Sequence, residues 1–194
     1  MPRPKVHDDA LRARLRDRAG QLLSSDGVAG LSLRKLASDV GTSTTAVYSL
    51  FGGKPGLVKT LVDEAFRRLG ARLAAVPDSG DPATGLVALG LAYRDAALDD
   101  PHLYDAMFGS AELDDESRGL RDAAFEPLVK AVERAMRADV LRGDANAATV
   151  ALGLWAALHG LVSLQLRDAV PAGGGDPGEG FAAMVRAAVD GWRS

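Results

Sequence analysis

The sequence predicts an all-α protein of about nine helices, and three observations carry that prediction. Apolar residues recur at i, i+3, i+4 and i+7 through most of the chain. The strict apolar–polar alternation of a strand is missing, because the valines are scattered through alanine-rich helical periods. Asp81-Pro82, Asp100-Pro101 and Asp176-Pro177 each place an Asp cap before a proline at the first helical position, where a missing N–H does no harm. With 194 residues, 47% of them hydrophobic, the chain has ample material for a core.

Residues 1–7, MPRPKVH, are basic and Pro-containing and read as a terminal arm. The first helix is expected from Asp8 or Asp9 to Ser25, with Leu11, Leu15, Ala19, Leu22 and Leu23 on its buried stripe. A second starts after Ser32, whose hydroxyl can cap the first free N–H groups. Leu33, Leu36, Ala37 and Val40 form its inner stripe, and Arg34, Lys35, Ser38 and Asp39 stay wet. Gly41 follows where the chain must leave the helix, since glycine reaches the left-handed region without steric cost. Ser43 then caps a third helix running to about Leu50, with Val47 and Phe51 inward and Thr44, Thr45 and Tyr48 outward. Gly52 and Gly53 close the unit.

Six further helices are expected: Lys54 to about Ala75, Pro82 to Leu98, Pro101 to Phe108, about Glu116 to Ala138, Asp144 to about Leu166, and Pro177 to Trp192. The eighth is about membrane length, but Asn146, His159, Gln165 and two glycines interrupt it and no basic flank marks an inner end. It reads as a buried interface helix, with no membrane partner. The N-terminus has no apolar core or small-residue cleavage site, so no signal peptide is expected. Zero cysteines exclude disulfides and thiolate metal sites, which suits a cytoplasmic protein.

The segment from Leu31 to Lys54 is a helix-turn-helix in outline, and charge supports a nucleic-acid role. Residues 1–54 carry nine Lys/Arg against five Asp, a net of +4, whereas the remainder carries a net of −7. A basic head on an acidic body fits a part that faces nucleic acid. A glycine turn, a short helix ending in tyrosine, an aromatic three residues on and a lysine opening the next helix are met by Gly41, Tyr48, Phe51 and Lys54. Together with Asp26, Gly27 and the run Leu31 to Ala37, these residues resemble the tetracycline repressor (TetR) family of transcriptional regulators, over about residues 10 to 60.

The resemblance implies a DNA-binding domain over 1–53 and a helical effector-binding and dimerisation domain over 54–194. It implies a ligand-responsive regulator, a repressor, that binds a palindromic double-stranded operator as a homodimer and is released by a small molecule. Arg34 matches a base-contacting position in some relatives and can make a bidentate guanine contact. Thr44 and Thr45 offer hydroxyls and methyls to base edges, and Ser32, Lys35, Ser43, Tyr48 and Lys54 are expected on phosphate. Leu50 departs from the pattern, since many relatives carry a polar or basic residue there. Ser43 to Ser49 contains no Arg, Lys, Asn or Gln, so specificity must lean on Arg34, threonine–thymine contacts and DNA shape.

In the body, Trp155 and His159 followed by Gly160 resemble a Trp-x-x-x-His-Gly type of C-terminal domain within the same family. Gly153, Ala156, Gly160 and Ser163 form a small-residue stripe, and Met184, Val185, Ala188 and Trp192 recur at helical spacing in the last helix. These eight residues are the expected dimer interface, a four-helix bundle from two subunits. The resemblance also implies an effector pocket in the body. Its candidate lining is Phe66, Tyr93, Tyr104, Met107, Phe108, Phe125, Trp155 and His159, an apolar and aromatic set suited to an apolar ligand. For His159 a buried imidazole bonded to backbone and stacked near Trp155 is preferred to a ligand contact.

Catalysis finds little support. The string Gly173 to Gly178 matches G-x-G-x-x-G, but no strand precedes it and Pro177 blocks the phosphate-binding turn, so it reads as a loop. Asp114, Asp115 and Glu116 read as a solvated helix start. His7, His102 and His159 have no short-range partner ligands, so neither a metal nor any other cofactor is expected. The competing classes are a small helical enzyme using His102 or His159 as base, and a helical protein-interaction module; the latter leaves the basic head unexplained.

Overall fold

The computed structural model describes residues 5–109, 113–170 and 177–193. Among them run nine helices: α1 Lys5–Gly30, α2 Leu33–Val40, α3 Thr44–Phe51, α4 Lys54–Ala74, α5 Pro82–Asp99, α6 Pro101–Phe108, α7 Asp115–Arg137, α8 Ala147–Leu166 and α9 Pro177–Asp190. Residues 1–4 of the expected arm, the residues Gly173 to Asp176 of the glycine-rich string and the Asp176 cap lie outside the described residues. A single isolated antiparallel bridge, Leu141 with Arg193, is the only extended pairing described.

Helix boundaries depart from expectation where a cap or a kink decides them. α1 begins at Lys5 rather than Asp8, and helical backbone resumes beyond Ser25 across a kink at Gly27, whose φ of 66° only glycine adopts cheaply. Asp114 caps α7 by accepting from the Ser117 amide at 2.9 Å, moving its start to Asp115. Asn146 caps α8 through the amides of Ala148 and Thr149, so that helix starts three residues later than Asp144. α9 ends at Asp190, because the chain turns there and the Arg142 amide takes the Trp192 carbonyl at 3.0 Å.

Two compact units result, each with its own core. The first comprises the described residues of Met1–Arg67 and Asp100–Leu120. Leu15, Leu22 and Leu23 of α1, Leu36 of α2, Val47 of α3, and Leu57 and Phe66 of α4 are almost wholly buried in it. α6 lies along α1, where Ser24 donates to Asp100 Oδ2 at 2.5 Å and His102 donates from Nδ1 to the Ser24 carbonyl at 2.6 Å. The second unit comprises Arg68–Asp99 and the described residues of Arg121–Ser194. α5, α8 and α9 converge at Gly90, where a Cβ would stand 3.0 Å from methyl groups of both Leu158 and Val185, so a larger residue would press those side chains back by a few tenths of an ångström. α8 is long and apolar enough to cross a membrane by length and composition alone, yet Val150, Ala151, Leu154, Leu158 and Val162 spend one face of it on the core.

Candidate nucleic-acid interface

Local chemistry builds the head. Ser32 Oγ accepts from the Lys35 amide at 3.3 Å, and Ser43 Oγ accepts from the Ala46 amide at 3.2 Å. Both serines therefore cap helices, and each keeps its own O–H free to donate to a phosphate. Gly41 takes φ 72°, and the Thr42 amide reaches back to the Ala37 carbonyl at 2.9 Å, which fixes the angle between α2 and α3. Leu36, Ala37 and Val40 of α2 and Val47 and Phe51 of α3 are buried. Thr44, Thr45 and Tyr48 are consequently exposed on the outer face of α3. The Tyr48 ring leans over Gly53, where a Cβ would lie 2.8 Å from the ring and φ is 97°.

Charges were less legible. Neither α2 nor α3 has a basic residue in its last turn, so their terminal carbonyls need donors from elsewhere. α1 supplies them: Arg14 donates to the Val40 carbonyl at 2.7 Å, and Arg12 donates to the Leu50 carbonyl while its guanidinium lies 5.0 Å over the Phe51 ring. Arg18 pairs with Asp39 at 2.7 Å and Arg16 with Asp17 at 2.9 Å. Much of the basic surplus read from the sequence thus holds the head together. Of the expected DNA-facing cations, Lys35 sits 3.7 Å from Asp26 and Lys54 donates to the Ala29 carbonyl at 3.2 Å. Among the described residues no hydrogen bond or ion pair engages Arg34, which is exposed.

The expected pocket residues fall into two clusters, one in each unit. In the first, Phe66 and Phe108 meet edge to face at 5.8 Å, Tyr104 lies 4.9 Å from Phe108, and Met107 is buried. In the second, Phe125 stands 5.9 Å from Trp155, and Trp155 is 5.6 Å from His159. The Trp155 indole donates to the Tyr93 hydroxyl at 3.2 Å, and that hydroxyl is 3.1 Å from His159 Nδ1. His159 is therefore hydrogen-bonded to the Tyr93 hydroxyl and stands near Trp155. Burial, reinforced by the Arg167 charge, lowers its pKa. The Tyr93 hydroxyl thus accepts from the Trp155 indole and links it to His159 Nδ1, with the imidazole tautomer setting which of the two donates in that second bond.

A pH dependence follows. A folded-state pKa below the ordinary 6.5 means that the His159 contribution to stability is complete above pH 6.5 and is lost as pH falls through the folded value. The urea midpoint is expected to drop between pH 7.5 and 5, and His159→Gln is expected to flatten part of that drop. Parallel pH profiles for the two proteins would contradict it.

On the expected dimer face, Gly153, Ala156, Gly160 and Met184 are exposed, and Ser163 and Ala188 are half-buried. Val185 is not on that face. It is buried within its own chain against Gly90, because period 3.6 carries it a quarter-turn past Met184 toward α5. Trp192 lies over Gly153, where a Cβ would sit 3.4 Å from the indole, and stacks with Arg142 at 4.9 Å. Among the described residues no group of three His, Asp or Glu could hold a metal ion.

The family model of the tetracyclin repressor-like, C-terminal domain matches residues 86–188, over half of the chain. The chain belongs to the TetR family. The Trp155–Gly160 motif lies inside the matched span of this TetR-family protein. A solved protein of unknown function from Rhodococcus sp. RHA1 is 28% identical, with a TM-score of 0.84 over 95% of this chain and 96% of that one. The TetR-family regulator PfmR from Thermus thermophilus shares the fold at 23% identity and a TM-score of 0.68, over 91% of this chain and 97% of that one. NalD, the secondary repressor of the MexAB-OprM multidrug efflux pump in Pseudomonas aeruginosa, shares it at 21% identity and a TM-score of 0.63, over 95% and 96%. No functionally curated protein matches the chain. The TetR family is one of transcriptional regulators.

Proposed function

We propose that this TetR-family protein is a cytoplasmic, ligand-responsive repressor that binds a palindromic operator as a homodimer and is released by a small apolar molecule. The observation that carries the reading is the outer face of α3, where Thr44, Thr45 and Tyr48 stand exposed with no acidic neighbour on the helix and with Arg34 unengaged on α2. Thr44 and Thr45 supply methyl and hydroxyl contacts to base edges in the major groove, and Arg34 makes the bidentate guanine contact. Ser32, Ser43, Tyr48, Lys35 and Lys54 take phosphates and set register. The Lys54 ammonium leaves a carbonyl partner for a phosphate, and Lys35 leaves a 3.7 Å pair with Asp26, so neither exchange breaks a strong bond.

Two such heads on one dimer enter successive major grooves, with half-sites about 34 Å apart. The exposed apolar face of α8, with Leu152 and Leu164, and Met184 of α9 supports a homodimer, since such a face is costly on a lone chain. The ligand acts by preferring the head spacing that does not fit the operator, transmitted through α4. Selection of sites from a random DNA pool is expected to return a palindrome; recovery of no common sequence would end the reading.

On the selected operator, Arg34→Ala is expected to cost about 1–3 kcal/mol and to relax one base position. Lys54→Ala should weaken operator and random DNA alike and lower the salt slope by about one. Identical losses on both DNAs for both variants would refute that division. A Cβ added at Gly160 would meet nothing within 4 Å beyond its own stretch of helix, and the position is exposed. Gly160→Arg is therefore expected to keep the fold, sediment as a monomer and lose operator avidity by about a hundredfold, because the two heads are no longer linked. An unchanged sedimentation coefficient would remove Gly160 from the interface.

A further inference from the structure

A cleft of about 820 Å3 opens in the second unit between the last turns of α4, the 76–82 connection, the start of α5 and one face of α7. None of the eight aromatic, Met and His residues expected around the effector lines it. Its floor is apolar, with Leu73, Leu89 and Ala131. Its rim is charged but matched: Arg134 holds Asp78 at 3.2 Å, Lys130 holds Glu126 at 2.8 Å, and Arg137 is 3.9 Å from Glu133. Asp81 is occupied as the cap of α5, accepting from the amide and hydroxyl of Thr84. An ionic ligand would have to break one of these pairs, whereas an uncharged one leaves all of them intact.

One backbone carbonyl beside the cleft lacks its ordinary i→i−4 donor. Pro127 lies inside α7 and has no amide hydrogen to give to the carbonyl of Ala123, four residues before it. Ala123 and Pro127 both line the cleft, which puts this carbonyl beside it. A helix carbonyl that lacks its intrahelical donor is open to one from a ligand.

The geometry points to a binding site for an uncharged lipophile carrying a hydroxyl or N–H donor, its apolar body on Leu73, Leu89 and Ala131 and its donor on the Ala123 carbonyl. As the effector's seat it rests on the ligand-responsive reading above; as a binding site it does not. The mixed apolar floor and lone acceptor suit a phenol or an aliphatic alcohol better than a carboxylate, which would bring a second acceptor to the first.

The test uses the full chain and three fluorescent probes of one shape: 1-naphthol, 1-methoxynaphthalene and 1-naphthalenesulfonate. 1-Naphthol is expected to bind about tenfold more tightly than the methyl ether, the difference of one hydrogen bond, and the sulfonate not measurably. Pro127→Ala returns an amide to the Ala123 carbonyl and is expected to erase the tenfold preference while helicity is kept or raised. Ala74→Trp, at an exposed position lining the cleft, fills it and should abolish binding of both neutral probes. Equal affinity for naphthol and its ether, a preference that survives Pro127→Ala, or no binding of either neutral probe overturns the proposal. Operator release then separates the two readings. Release by naphthol that persists in Ala74→Trp would move the effector elsewhere, whereas tight naphthol binding without release would keep the site and deny it the regulatory role.

Discussion

Gly56→Ala is expected to destabilise the DNA-reading head by about 3 kcal/mol or more and to abolish operator binding. A Cβ built at Gly56 would stand 1.8 Å from the carbonyl oxygen of Phe51 and 3.0 Å from its carbon. Neither partner can retreat cheaply. Phe51 is buried, Gly52 and Gly53 hold φ values of 74° and 97°, and the Tyr48 ring covers Gly53. In an ordinary exposed helix the same substitution would stabilise by about 0.5–1 kcal/mol through propensity, so the sign of the effect is itself the test. Gly41→Ala is the control: its Cβ meets nothing within 4 Å, and it carries only the cost of a φ of 72°. A Gly56→Ala protein with the wild-type urea midpoint would show that α3 and α4 can separate at this junction without loss.

Asp63→Ala should be the next most damaging change, costing about 2–3 kcal/mol. Asp63 is 5% exposed on α4 and takes Ser117 Oγ on one oxygen and Lys59 Nζ on the other, each at 2.5 Å. Lys59 also reaches Glu116 at 3.0 Å and Asp114 at 3.4 Å, so the start of α7 is tied to α4 through one ammonium. Removing the carboxylate leaves the buried Ser117 hydroxyl without its acceptor, whereas Lys59 keeps two exposed partners. The loss is therefore expected to follow Ser117: in a double-mutant cycle, Ser117→Ala should cost little once Asp63 is already alanine. Additive losses would show that the two side chains do not act together.

The same cluster predicts an alkaline limb. The Asp63 hydrogen bond, opposed by burial and helped by Glu116, holds the Lys59 pKa above the ordinary lysine range. A raised folded-state pKa means that the contribution to stability is complete below 10.5 and is lost as pH rises past it toward the folded value. The Lys59→Met protein should lack that limb when unfolding is followed by urea titration.

Much of the head was legible because its determinants are local. The Ser32 and Ser43 caps act over three residues, and the Gly41 turn over four or five. The inward stripes of α2 and α3 follow from period 3.6 alone. The Asp81 and Asp100 caps read from Asp-Pro pairs act over the same three residues, at Thr84 and Leu103. The charge balance was legible as a total and not as a set of roles. Counting nine basic residues cannot reveal that Arg12 and Arg14 are donors to the ends of helices 38 and 26 residues away.

The body shows the same division more sharply. Apolar spacing placed Met184, Val185 and Ala188 together on one helix, but not which of them packs on α5; Val185 is the one buried against Gly90, 95 residues away. His159 was legible as a buried imidazole near Trp155, but not its bond to the Tyr93 hydroxyl, 66 residues away. Aromatic and Met residues suggested a pocket because they are large and apolar. A separate cleft lies where Gly70, Ala71, Ala74 and Ala123 line the space between α4, the 76–82 connection and α7, and small residues carry no pocket signal in a sequence. By itself the sequence determined the helices, their caps and the family, since each rests on interactions spanning a few residues. Only the tertiary structure decided which charges stay unengaged among the described residues, which helix faces stay exposed and where a cleft opens. Those properties are what remains after distant side chains have packed, and packing is not a local quantity.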